Sequence, residues 1–156
     1  AELCHLFGCE IAAYDLFPKK NAPEYLHYGT LEEVLSKSDI VTLHCPLTED
    51  SRNLINQDRI AQMKKGAILI NAARGPIVDS KALADALNSG YLRGAGVDVF
   101  EMEPPLPMDH PLLHSINTIV TPHIAFASDE SMEIRAKIVF ENIQKWMNKE
   151  QVNTIL

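Results

Sequence analysis

At 156 residues, of which 46% are hydrophobic and 22% charged, the chain has the size and make-up of one globular domain with a buried core. A formal net charge of -7 and a scatter of 14 Lys and Arg leave no basic stripe to neutralise phosphates, which excludes nucleic acid as an expected partner. No apolar run approaches the roughly 20 residues of a membrane span, and Ala1-Glu2-Leu3-Cys4-His5 lacks the basic and apolar regions of a signal peptide. No membrane partner is expected, and the expected location is the cytoplasm. Cys4, Cys9 and Cys45 form neither a disulfide framework nor a zinc motif, so each is read as a small buried hydrophobe. The histidines suggest no metal site.

Short β-type runs alternate with helical patterns, which is the mark of βαβ units around a parallel sheet. Glu10 to Asp15 is the first expected strand. Thr30-Leu31-Glu32-Glu33 reads as a capping box opening a short helix through Leu35. Asp39 to His44 follows as a buried strand, then a helix from Gln57 to Met63 with Asn56 as its N-cap. Ala67 to Ala72 is a near-continuous apolar run of the kind that a parallel strand covered on both faces requires. Asp79 can cap a helix over Ser80 to Asn88, and Gly94 to Asp98 and Thr118 to Thr121 supply two more strands.

The stretch from Phe100 to Asn117 carries Pro104, Pro105, Pro107 and Pro111 and reads as a rigid loop. Beyond it, Ser128 can cap a long helix whose Met132, Ala136, Val139, Ile143 and Trp146 recur at helical spacing. The expected division is a nucleotide-binding unit over residues 1–127 and a packing helix over 128–156.

Ligands of open parallel sheets bind beyond the carboxyl ends of the strands. The residues there are Asp15, Cys45 and Pro46, Ala73-Arg74-Gly75, then Asp98 with Glu101 and Glu103, and finally His123. Each alone has an ordinary structural reading, as a solvated strand end, a turn residue or a loop charge. Together they supply the parts of a carbonyl reductase site. Arg74 offers a planar fork for a substrate carboxylate, His123 an exchangeable proton, and a glutamate the means to orient that histidine. No GxSxG elbow supports a serine hydrolase.

His44-Cys45-Pro46-Leu47-Thr48, Asn71-Ala72-Ala73-Arg74-Gly75 with Val78-Asp79, Gly96-Val97-Asp98-Val99-Phe100-Glu101-Met102-Glu103-Pro104, and Thr121-Pro122-His123-Ile124 resemble, in order and spacing, the signatures of D-isomer-specific 2-hydroxyacid dehydrogenases. The resemblance implies an α/β fold with a Rossmann-type doubly wound parallel sheet and hydride transfer between NAD and a small 2-oxo or 2-hydroxy acid. It assigns Arg74 to the substrate, His123 to acid/base work and Glu103 to orienting it, with Glu101 a bystander. It places Asp15 on the adenosine ribose, Cys45, Pro46 and Ser51 on the adenine side, and Ala72, Ala73 and Asp98 at the nicotinamide, next to Arg74 and His123. It further implies a homodimer.

Asp15 accepts hydrogen bonds from a ribose diol and repels a 2′-phosphate, which favours NAD over NADP even with Lys19 and Lys20 nearby. The family's GxGxxG loop does not occur in this sequence. The expectation is therefore a sheet lacking its first, central strand, and a fragment inactive on its own because the pyrophosphate lacks its glycine loop. The alternative function is an NAD-sensing, corepressor-like binding protein on the same fold.

Overall fold

The computed structural model describes residues 1–102 and 105–154. The chain divides into two compact units, Ala1–Pro122 and His123–Leu156.

The first unit opens with a short helix, α1 (Glu2–Leu6), and two paired strands, β1 (Ile11–Ala13) and β2 (Leu26–Tyr28). Then follow α2 (Leu31–Lys37), β3 (Ile40–Leu43), α3 (Gln57–Gln62), β4 (Ile68–Asn71), α4 (Ser80–Asn88), β5 (Gly94–Val97) and β6 (Thr118–Val120). β3 to β6 form a four-stranded sheet in sequence order with every pair parallel. The architecture is the expected α/β, Rossmann-like one.

The caps foreseen from sequence carry the helices. Thr30 accepts from the Glu33 N–H while Glu33 accepts from the Thr30 N–H, completing the capping box of α2. Asn56 caps α3 and Asp79 caps α4, each by accepting a backbone N–H from three residues on.

Sheet register sorts the strand residues into two faces. Val41, Leu69 and Ala95 share one row, and Leu43, Asn71 and Val97 the next, all buried. Leu83 and Leu87 of α4, Ile60 of α3 and Leu35 of α2 belong to the same core. Thr42, Ile70, Gly96 and Ile119 occupy the opposite face, where Ile70 is 37% and Ile119 74% exposed. The apolar run of β4 led us to expect cover on both faces, but the described residues bury only one.

β1 pairs only with β2 among the described residues, and no ladder joins it to β3. In a doubly wound sheet of order 3-2-1-4-5-6, the first strand stands at that interruption. The two-stranded and four-stranded sheets correspond to its two sides, as the sequence led us to expect.

Two expectations are corrected. Cys4 and Cys9 are exposed rather than buried, because α1 contributes no residue to the core. β1 is shorter than Glu10 to Asp15, because β2 offers only three partner residues to its ladder.

The second unit contains α5 (Asp129–Met147), capped by Ser128. Its Met132, Val139, Ile143 and Trp146 are exposed. No helix among the described residues is long and apolar enough to cross a membrane.

Candidate active site

The carboxyl edge of the four-stranded sheet collects Cys45 and Pro46 beyond β3, Ala72, Ala73 and Arg74 beyond β4, Asp98 beyond β5 and Thr121 beyond β6. Asp15 follows β1 in the other sheet, and His123 opens the second unit. Glu103 lies outside the described residues.

Two of these loops are knit together before any ligand arrives. The Asn53 N–H donates to the Pro76 carbonyl, the Ile55 N–H to Ile77, and the Asp79 N–H to Ile55. The segment after β3 is thereby bonded to the turn after β4. Ser51 shapes the same segment, since its buried hydroxyl donates to the Pro46 carbonyl and accepts from the Thr48 N–H. Its hydroxyl is thus engaged in holding Cys45-Pro46-Leu47 in place. Cys45 is half-buried rather than buried, and burial pushes its thiol up, which disfavours the reactive thiolate.

Arg74 stands at the end of a turn built by Asn71. That side chain is 2% exposed, accepts from the Ala73 N–H at 3.1 Å and donates to the Arg74 carbonyl at 3.0 Å. The Arg74 guanidinium is held by donation to the Ala73 carbonyl at 2.6 Å. Among the described residues no carboxylate neutralises it. An exposed, pre-oriented cation at a strand end is suited to binding an anionic ligand.

Gly75 continues the turn, and a Cβ there would lie 1.8 Å from the Phe100 carbonyl carbon. The Arg74 turn therefore rests backbone to backbone on the segment after β5, an approach that only glycine permits.

Asp98 is buried, and its Oδ1 accepts from the Thr121 hydroxyl at 2.5 Å. Asp15 is exposed, with Oδ1 taken by the Phe17 N–H at 2.8 Å. Within the second unit, the half-buried His123 adopts φ +59° and meets the Phe126 ring edge-on, while Arg135 lies over that ring at 5.2 Å. A left-handed backbone is uncommon for residues other than glycine, although histidine is among the side chains that tolerate it best.

Glu101, read from sequence as a bystander, is fully engaged. It accepts from the Ser80 hydroxyl at 2.8 Å and from the His110 Nε2–H at 3.1 Å. Burial pushes its carboxyl up, but hydrogen bonds from its own backbone, Ser80 and His110 outweigh that and hold it below 4.5. A depressed folded value stabilises the fold above the unfolded value and loses that effect as pH falls through the folded one. Denaturant midpoints of the wild type and Glu101→Gln should therefore converge below pH 4.5; a constant gap down to strongly acid pH would show that the charge contributes nothing.

Sequence reading also passed over the spacing of His110 and His114, four residues apart and so a conceivable metal pair. The rings are committed elsewhere: His114 Nε2–H donates to the Met108 carbonyl, and His110 Nδ1 accepts from the Leu112 N–H. A buried histidine beside Pro111 is the signal that could have marked this corner.

Comparisons with known proteins identify the family of the chain. A family model described as D-isomer specific 2-hydroxyacid dehydrogenase, NAD binding domain, matches residues 1–125. A glyoxylate reductase of Korarchaeum cryptofilum is 44% identical over 139 residues, covering 88% of this chain and 42% of its own length. A hydroxypyruvate reductase of Blautia hydrogenotrophica is 37% identical over 155 residues, covering 99% of this chain and 48% of its own. The crystal structure of D-lactate dehydrogenase with NAD+ from Lactobacillus jensenii superposes with a TM-score of 0.90 at 32% identity, covering 100% of this chain and 51% of that one. The chain spans about half the length of the relatives it matches. It belongs to the D-isomer specific 2-hydroxyacid dehydrogenases, matching their NAD-binding domain over most of its length.

Proposed function

We propose that the full-length protein is an NAD-dependent oxidoreductase interconverting a small 2-oxo acid and its D-2-hydroxy acid. Arg74 at the sheet's carboxyl edge, which no carboxylate among the described residues neutralises, carries this reading, because a 2-oxo acid brings the carboxylate and carbonyl that a fixed guanidinium fork is shaped to bind.

The donor set suits NAD. Asp15 keeps one carboxylate oxygen for the ribose diol after the other takes the Phe17 N–H, and its charge disfavours a 2′-phosphate. The small Ala72 and Ala73 leave room beyond β4, where Asp98, oriented by Thr121, can accept from a carboxamide. Cys45 and Pro46, on the segment that Ser51 shapes, form the adenine side. Bound NADH supplies the hydride.

Arg74 binds the substrate carboxylate and polarises the oxo group. His123 holds the proton that the oxygen acquires during reduction and recovers it in oxidation. Glu103 takes the role of orienting that imidazole, as the resemblance to the family implies. In this scheme the bond the chain breaks and remakes is the His123 N–H, so its work is orientation and one proton transfer.

The test is NADH oxidation by the full-length protein with glyoxylate, hydroxypyruvate and pyruvate, alongside NADPH. Reduction of at least one substrate with a preference for NADH is expected. Tight NADH binding with no reduction across a broad 2-oxo acid panel would overturn the enzymatic reading in favour of an NAD-sensing binding protein.

A further inference from the structure

The loop that bears Glu103 is fastened at both ends by polar contacts, in which Ser80 and His110 are buried and the Glu101 side chain is 39% exposed. At its start, Glu101 takes the Ser80 hydroxyl on one oxygen and the His110 Nε2–H on the other. Ser80 is the first residue of α4 and is itself buried, so the carboxylate is bonded to the helix that backs the sheet. At the loop's end, His110 is 5% exposed, and its Nδ1 accepts from the Leu112 N–H at 3.3 Å. The ring thereby caps the 3-10 turn Pro111–Leu113, which packs against α4. Phe100 meets the His110 ring edge-on at 5.3 Å, and the Phe100 backbone rests on Gly75 of the Arg74 turn.

One carboxylate therefore joins three places that are distant in sequence: the start of α4, the beginning of the proline-rich loop and its end. An apolar cluster would fill the same corner, but it would not dictate register. Hydrogen bonds at both carboxylate oxygens and both ring nitrogens do, because moving Glu101 away leaves the buried Ser80 hydroxyl and His110 ring unsatisfied. Glu103 is joined to Glu101 through one intervening residue, and the prolines of the loop restrict how the chain between the anchors can adjust.

We propose that Ser80, Glu101 and His110 form a clamp that fixes the chain on either side of Glu103, with Phe100 resting on the Arg74 turn, making all three positioning residues for the reaction. The proposal rests on the role given to Glu103 above. Glu101 touches neither substrate nor cofactor in this scheme; it acts through Glu103.

The test is a double-mutant cycle in the full-length protein, with kcat, KM for the 2-oxo acid and NADH affinity measured for each variant. Glu101→Ala should lower kcat roughly 10- to 100-fold, the scale of a small misplacement of a catalytic group, with little change in KM or NADH affinity. In a Glu103→Ala background the same substitution should have no further effect on kcat. Glu101→Gln should restore kcat to near wild type, since its carbonyl can accept from His110 and its amide can donate to Ser80. Should Glu101→Ala fold poorly, Ser80→Ala removes one hydrogen bond and should lower kcat in the same direction.

An unchanged kcat in folded Glu101→Ala or Ser80→Ala would overturn the clamp, as would an equal loss with and without Glu103. A Glu103→Ala variant with undiminished kcat would instead overturn the role of Glu103, and the clamp with it. That outcome is recognisable from the single variant alone.

Discussion

Replacing His123 with alanine in the full-length protein should cut turnover of a 2-oxo acid roughly 10²- to 10⁴-fold, the range that loss of a general acid/base produces. That corresponds to about 3 to 5 kcal/mol of transition-state stabilisation. NADH affinity should hardly change, because the proton is needed only as the oxygen acquires charge. The backbone complicates this one substitution. His123 sits at φ +59°, where alanine is strained, so a loss of activity could come from a moved main chain. His123→Asn separates the two causes, since asparagine tolerates the left-handed region but cannot supply the proton. Both variants should fall to a similar level. If asparagine kept near-normal turnover, the acid/base assignment would be lost and the position would matter only for its conformation.

Sequence patterns revealed the features whose physics is local. The capping box from Thr30 to Glu33 and the caps Asn56 and Asp79 act over three residues, and all three are in place. Arg74 could be picked out because its turn is built within the stretch from Asn71 to Gly75. Features that depend on distant partners stayed hidden. β2 is a three-residue strand, Leu26–Tyr28, without enough alternation to announce itself, and it exists because β1 pairs with it. The Ser80, Glu101 and His110 cluster joins residues 21 and 9 positions apart, and nothing near Glu101 in the chain distinguishes it from a loop charge. The exposed face of Ile70 and Ile119 was illegible for the same reason. An apolar run shows what a strand can bury, whereas cover depends on what packs over it.

Arg74→Ala should damage both binding and turnover, lowering kcat/KM by about 2 to 5 kcal/mol, the cost of truncating one partner of a hydrogen-bonded charge pair. In rate terms that is roughly 30- to 5000-fold. The size follows from preparation: the buried Asn71 fixes the turn, and the Ala73 carbonyl holds one guanidinium nitrogen, so little ordering remains to be done when substrate arrives. Arg74→Lys should recover only part of the loss, because an ammonium keeps the charge but not the planar fork. NADH affinity serves as the control and should stay near wild type in both. The split between constants then identifies what the guanidinium touches. A rise in KM with kcat preserved would mean that it grips the carboxylate equally in ground and transition states. A fall in kcat as well would mean that it also polarises the oxo group, which the proposed mechanism requires. Unchanged kcat/KM in Arg74→Ala would remove the substrate from this strand end altogether.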